Sequence, residues 1–138
     1  MLAFDADGRV LHKGIHDSLL VAFSVGDDGA FGLKLRSESG AFVSVVMNEV
    51  YDYNFSDICN GSIVSDLFAW KISDAHDAFD MPDSAWNILF SARNDPKDVI
   101  KMAEKRRKMH GELFLVLLSC SYVGSIAAIC RELSVYSA

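Results

Sequence analysis

Residues 113–130 read LFLVLLSCSYVGSIAAIC, eighteen consecutive positions without a charge. At that length a membrane-spanning helix has to be weighed, and Lys105-Arg106-Arg107-Lys108 just upstream would suit a cytoplasmic flank. The middle of the run points elsewhere. Ser119, Cys120, Ser121 and Tyr122, followed by Val123-Gly124-Ser125, place turn chemistry between two apolar pieces of strand length. The expectation is a closing β-hairpin, with a buried helix or a membrane segment as the alternatives for 113–136. A hairpin so apolar on both faces needs cover on one of them, from a helix or from a second copy of the chain, so monomer and homodimer both remain open.

Upstream of this run lies the best-signed element of the chain. Asn94-Asp95-Pro96 supplies a capping side chain and a proline at the first helical position, Asp98 falls in the first turn, and Lys105 to Lys108 precede Gly111 in the last. These signals predict a helix over 96–110. Lys97, Lys101, Lys105 and Lys108 recur as one charged stripe while Val99, Ile100 and Ala103 point another way, the pattern of an amphipathic helix on a sheet.

The first ninety or so residues read as strands and turns, because β-branched and aromatic residues alternate with polar ones between Gly and Asp punctuation. Leu19 to Val25, the loop Gly26-Asp27-Asp28-Gly29, and then Phe31, Leu33 and Leu35 alternating with Gly32, Lys34 and Arg36 describe a hairpin. Beyond Glu38-Ser39-Gly40 a third strand, Ala41 to Met47, completes a meander over 18–47. Cys59-Asn60-Gly61-Ser62 is a turn, Ser62 to Ile72 a long or bulged strand, and Ser84 to Ser91 a further strand with Trp86, Ile88 and Phe90 on one parity. The expected fold is α+β: an antiparallel sheet of about seven strands, one helix at about 96–110 packed on it, and a C-terminal hairpin, in a single domain spanning 1–138. Its sheet-facing side chains are expected from Leu20, Phe31, Leu33, Val43, Val45, Ile63, Trp70, Trp86, Phe90, Leu115 and Ile129.

A chain of 138 residues, 51% apolar and 23% charged, has the composition of an ordinary globular domain, long enough to build a core without metal or disulfide. Three cysteines, Cys59, Cys120 and Cys130, form no CxxC pair, which fits a reduced, cytoplasmic setting. MLAFDADGRV at the start has no basic region leading into an apolar core, so no secretory signal is expected. Net charge is −6, unevenly spread. Residues 93–108 hold seven basic and three acidic residues, and the rest of the chain six basic and sixteen acidic. That acidic body disfavours general nucleic-acid binding through the helix at 97–108, although Lys97, Lys101, Lys105 and Arg106 would be its contacts.

Few residue patterns suggest chemistry. His16-Asp17 is a pair used as ligands in metal-dependent phosphohydrolases, but here it sits between Gly14 and a strand, where the Asp is expected to bond local backbone amides. Asp74, Asp77, Asp80 and Asp83 could gather oxygens, yet the spacing is wrong for a calcium loop; a solvated acidic connection, or a contact surface for a basic protein, fits better. No GxSxG, SxxK or phosphate-binding glycine pattern occurs, and nothing implies a cofactor.

His16-Asp17 before the first strand, Asn60-Gly61 with Ile63 and Asp66 in a mid-chain strand, and Ser121-Tyr122 to Cys130 in a final hairpin together resemble a pattern in small uncharacterised bacterial α+β domains. Bacterial immunity proteins, which neutralise a toxin by binding it, are similar in size, acidity and α+β make-up. With no catalytic signature in the chain, the expected function is a small non-enzymatic binding protein, immunity-like by analogy, and the acidic body points to Asp74, Asp77, Asp80 and Asp83 as the surface that would steer a basic partner. A metal-dependent hydrolase built on His16 and Asp17, or nucleic-acid contact through the basic helix, are the alternatives.

Overall fold

A computed structural model describes residues 2–58, 61–73, 81–90, 95–122 and 124–137. Its elements are β1 (Leu19–Val25), β2 (Phe31–Arg36), β3 (Phe42–Ser56), β4 (Val64–Ile72), α1 (Asp83–Phe90), α2 (Pro96–His110), β5 (Leu113–Cys120) and β6 (Ser125–Ser137). Among the described residues the strands form one sheet in the order β1-β2-β3-β6-β5-β4, every neighbouring pair antiparallel. The meander and the closing hairpin are therefore present. Among the described residues six strands stand in place of the expected seven, and two helices in place of the expected one.

The sheet coils until its first and last strands meet. Leu19 bridges Ile63, with Asp17 N donating to Val64 O at 2.8 Å, Val64 N to Ser18 O at 2.8 Å, Leu20 N to Ser62 O at 2.9 Å and Gly61 N to Leu20 O at 2.9 Å. Further along β4 the N-terminal segment takes over its outer edge, through Val10 N to Leu67 O and Ala69 N to Gly8 O. Gly8 is required there: its φ is +87°, and a Cβ would fall inside the Trp70 indole, whose Nε1 donates to Asp7 O at 3.0 Å.

Coiling gives the sheet an inside and an outside, and the apolar residues sort between them by parity. Val116 and Leu118 of β5 and Ile126, Ala128 and Cys130 of β6 join Leu33, Leu35, Val43, Val45, Met47, Val64 and Leu67 inside. Leu113, Leu115 and Leu117, with Ala127 and Ile129, point outward into a second cluster with Trp86, Leu89, Val99 and Ala103 of the helices. This is why 113–118 and 126–130 are apolar without interruption: these stretches of β5 and β6 are covered on both faces. The cover comes from α1 and α2, and no helix among the described residues is long and apolar enough to cross a membrane.

Residues 84–90 are helical, which corrects the strand expected at Ser84 to Ser91 and places Trp86 and Phe90 on α1 rather than on the sheet. Ala85, Trp86 and Leu89 are the buried positions, a spacing of i, i+1 and i+4. Over so short an apolar run parity and helical spacing are indistinguishable; the bare outer face of β5 and β6 decides for a helix carrying Trp86. Asn54 Nδ2 fixes α1 by donating to Ile88 O at 2.7 Å. On α2, the Asp95 side chain accepts from Lys97 N at 2.9 Å and Gly111 N donates to Arg107 O, so both expected caps form.

β3 also outruns its expected end at Met47 and continues to Ser56. Its alternation breaks at Glu49, where φ is +51°, and at a bulge at Tyr51 opposite β6, so Met47 and Val50 both face inward. Tyr51 anchors α2 from this bulge. Arg106 donates to its carbonyl at 2.8 Å and covers its ring at 5.1 Å, His110 stacks on it at 5.3 Å, and its hydroxyl donates to Glu49.

Candidate binding surface

His16 and Asp17 lie in the tight connection before β1, where Asp17 takes a left-handed φ of 62°. The His16 ring reaches β4: Nδ1 donates to Ser65 O at 2.7 Å and stands 3.8 Å from the Asp66 carboxylate, while Nε2 is 3.5 Å from Asp17. The Ser65 carbonyl, then Asp17, hold the imidazolium above the ordinary histidine range. Arg9 Nε engages the same Asp66 oxygen at 3.0 Å. One His16 nitrogen is thus spent on backbone and Asp66 is spent on Arg9, leaving little of this group for a metal. Among the described residues no set of three or more His, Cys, Asp and Glu side chains could hold one. His16 also borders an open cleft of about 460 Å³ with Lys13, Ser37, Ser39 and Phe42. Glu38 stands there against the two basic side chains, so the cleft shows no clear preference for charge.

Of the expected acidic contact residues, Asp83 is exposed at the first turn of α1; Asp74, Asp77 and Asp80 lie outside the described residues. Cys59 and Asn60, with their expected turn, lie outside them too. On α2, Lys97, Lys101, Lys105 and Lys108 are exposed, whereas Arg106 is turned onto Tyr51. That occupation removes Arg106 from the expected set of outward basic contacts. Cys130 is buried inside the sheet, and burial pushes its thiol up to about 12, well away from a nucleophile.

A different surface emerges at the end of the sheet beyond the β1–β4 closure. Phe23 and Val25 pair with Leu33 and Phe31, so their side chains share the inner face, but among the described residues no strand lies opposite here and they are 54% and 58% exposed. Tyr53 and Phe55 at the end of β3 face the same way, paired with Ala128 and Ile126 of the inner cluster. The rings are contiguous: Phe23 meets Phe55 edge-on at 5.0 Å, Phe31 meets Tyr53 at 4.4 Å, and Tyr53 meets Phe55 at 6.1 Å. Exposed Asp27 and Asp28 cap the β1–β2 turn and exposed Asp57 follows β3. An aromatic floor with an acidic border results.

Phe31 lies on the sheet as expected, and no motif in the sequence marks it or its aromatic neighbours as a site. Phe23 and Tyr53 follow the parity of buried strands, so nothing local tells that the fold leaves them exposed, with the half-buried Phe55 between them and the inner cluster. No family model matches the chain, and neither does any curated protein or solved structure.

Proposed function

We propose that this protein is a small non-enzymatic binding protein that meets a basic protein partner at the open aromatic end of its sheet. The supporting observation is the contiguous group Phe23, Val25, Phe31, Tyr53 and Phe55, whose outer members are half exposed within an acidic border. Aromatic side chains in a patch ringed by polar groups are what protein interfaces use for affinity, and clustered carboxylates speed the approach of a basic partner. Neutralising a toxin, as immunity proteins do, is one role of this kind. It is the function that the acidic body of the chain suits.

The test is capture from lysate at moderate salt with tagged protein, comparing the native chain with a Phe23→Ser, Tyr53→Ser double variant. A stoichiometric basic protein retained by the first and lost from the second, with thermal unfolding little changed, is expected. Equal retention by both would move the binding surface elsewhere. Asp83 with its neighbours Asp74, Asp77 and Asp80 is then the next surface to neutralise.

A further inference from the structure

The edge of β1 changes character along its length. Leu20 turns its N–H and C=O outward and both are taken, by Ser62 O and Gly61 N. A bulge at Val21 shifts the register, after which Gly26 N donates to Ala30 O, so the ladder alternation assigns Ala22 and Ser24 to β2 and turns the backbone groups of Phe23 and Val25 outward. No strand lies beyond them among the described residues. Native sheets protect such an edge with lysine, proline, an inward charge or a bulge; Leu19–Val25 reads LLVAFSV, without lysine, proline or charge, and its bulge at Val21 lies before the open stretch rather than within it. The opposite edge strand, β4, is by contrast paired with residues 8–10 and 17–20.

We propose that Val21–Val25 is a strand-addition site, where an extended basic peptide segment of the partner pairs with the outward N–H and C=O groups of Phe23 and Val25. This rests on the reading of the aromatic end as the partner-binding surface and supplies its mode. Backbone pairing gives affinity, and alternate peptide side chains fall on Phe23, Val25 and Phe55. Charge selects the occupant. Lysine or arginine on the added strand would meet Asp27 and Asp28 at the turn, whereas a second copy of this chain, paired antiparallel about Phe23, would bring each Asp27-Asp28 turn beside the other's Asp17.

The experiment uses the full chain with a labelled synthetic peptide alternating lysine and valine, its glutamate–valine counterpart, and a lysine–valine peptide with alternate amides N-methylated. Binding is followed by fluorescence anisotropy and amide exchange by NMR. The basic peptide is expected to bind and to protect the Phe23 and Val25 amides, and the acidic one to bind far less. N-methylation should weaken binding roughly tenfold or more, through lost backbone hydrogen bonds. Val25→Pro should do the same while keeping the fold, since the N–H it removes is not used by β2. If that variant does not fold, the N-methylated peptide tests the same point on the native chain.

Absence of binding by the basic peptide overturns strand addition, as does binding that leaves both amides exchanging or ignores N-methylation. Protection of both amides in the free protein, rising with concentration, gives the edge to a second copy and also overturns it. In each case the wider reading survives if Phe23→Ser with Tyr53→Ser still abolishes partner capture, and fails if capture is unaffected.

Discussion

β5–β6 and β1–β2 are hairpins of one sheet, and they differ in what lies against them. The first is enclosed, by the sheet interior on one face and by α1 and α2 on the other, and every residue from Ile126 to Cys130 is buried. The second projects past the point where the sheet closes, and from Ala22 to Gly29 every residue is exposed. Enclosure accounts for stability, and the open end concentrates unpaired backbone and aromatic surface where a partner can reach them. On the binding reading proposed above, one sheet does two tasks that pull in opposite directions, because apolar surface committed to the core is unavailable for binding.

The contrast can be broken most directly at Trp86, which is 1% exposed between α1 and the outer face of the sheet. Trp86→Ala should cost about 3–5 kcal/mol in urea unfolding, and a loss below about 1 kcal/mol would mean that the helices do not hold the enclosed half. Inside the sheet, Cys130 gives a pH-dependent measure of the same enclosure. Burial raises its thiol from 9.0 to about 12, so the fold favours the protonated form. Its contribution is complete below the unfolded value near 9 and drains as pH rises toward about 12. Alkylation at a pH of about 9 should leave Cys130 unmodified until the protein unfolds, a contrast that rapid native labelling would refute.

Asp95→Ala removes one cap of α2 and should cost about 1 kcal/mol, read as a lower midpoint in thermal unfolding. At the open end Phe23→Ser should change stability by less than about 1 kcal/mol, because its ring is half in water, while weakening partner capture; a large stability loss would make this end part of the core after all. The smallest effect belongs to His16. Its hydrogen bond to Ser65 O and its proximity to Asp17 raise its pKa, so the stabilising charge is present below the ordinary value of 6.5 and is lost as pH rises through the folded value. An NMR titration should find His16 above 6.5 and Asp17→Asn should lower it; no difference between the two would remove Asp17 from the pair.

The capped helix at 96–110, the meander over 18–47 and the C-terminal hairpin were legible because their signals are local. Asp95-Pro96, Gly26 to Gly29, and Gly124 with its serines act on a few neighbouring residues, wherever these end up in the fold. The second helix was not legible, since an apolar run as short as Ala85 to Phe90 satisfies either period. The far half of β3 was hidden by Asn48, Glu49 and Asp52, polar residues placed around a bulge that no alternation rule accommodates. The aromatic end was invisible for a related reason: Phe23 and Tyr53 have the parity of core residues, and their exposure depends on where another strand stops.

The sequence by itself determined that the chain is α+β with an antiparallel sheet, and it marked 113–130 as needing burial on both faces. Tertiary structure alone decided that helices provide that cover, that β4 closes on the first half of β1, and that the second half is left open. Local signals act through propensity and capping over a turn or two, whereas closure is set by bulges at Val21, Tyr51 and Ser65 and by contacts between residues more than forty positions apart, such as Leu19 with Ile63. Exposure of a side chain is a property of what the rest of the chain fails to reach, and only the assembled sheet contains that information.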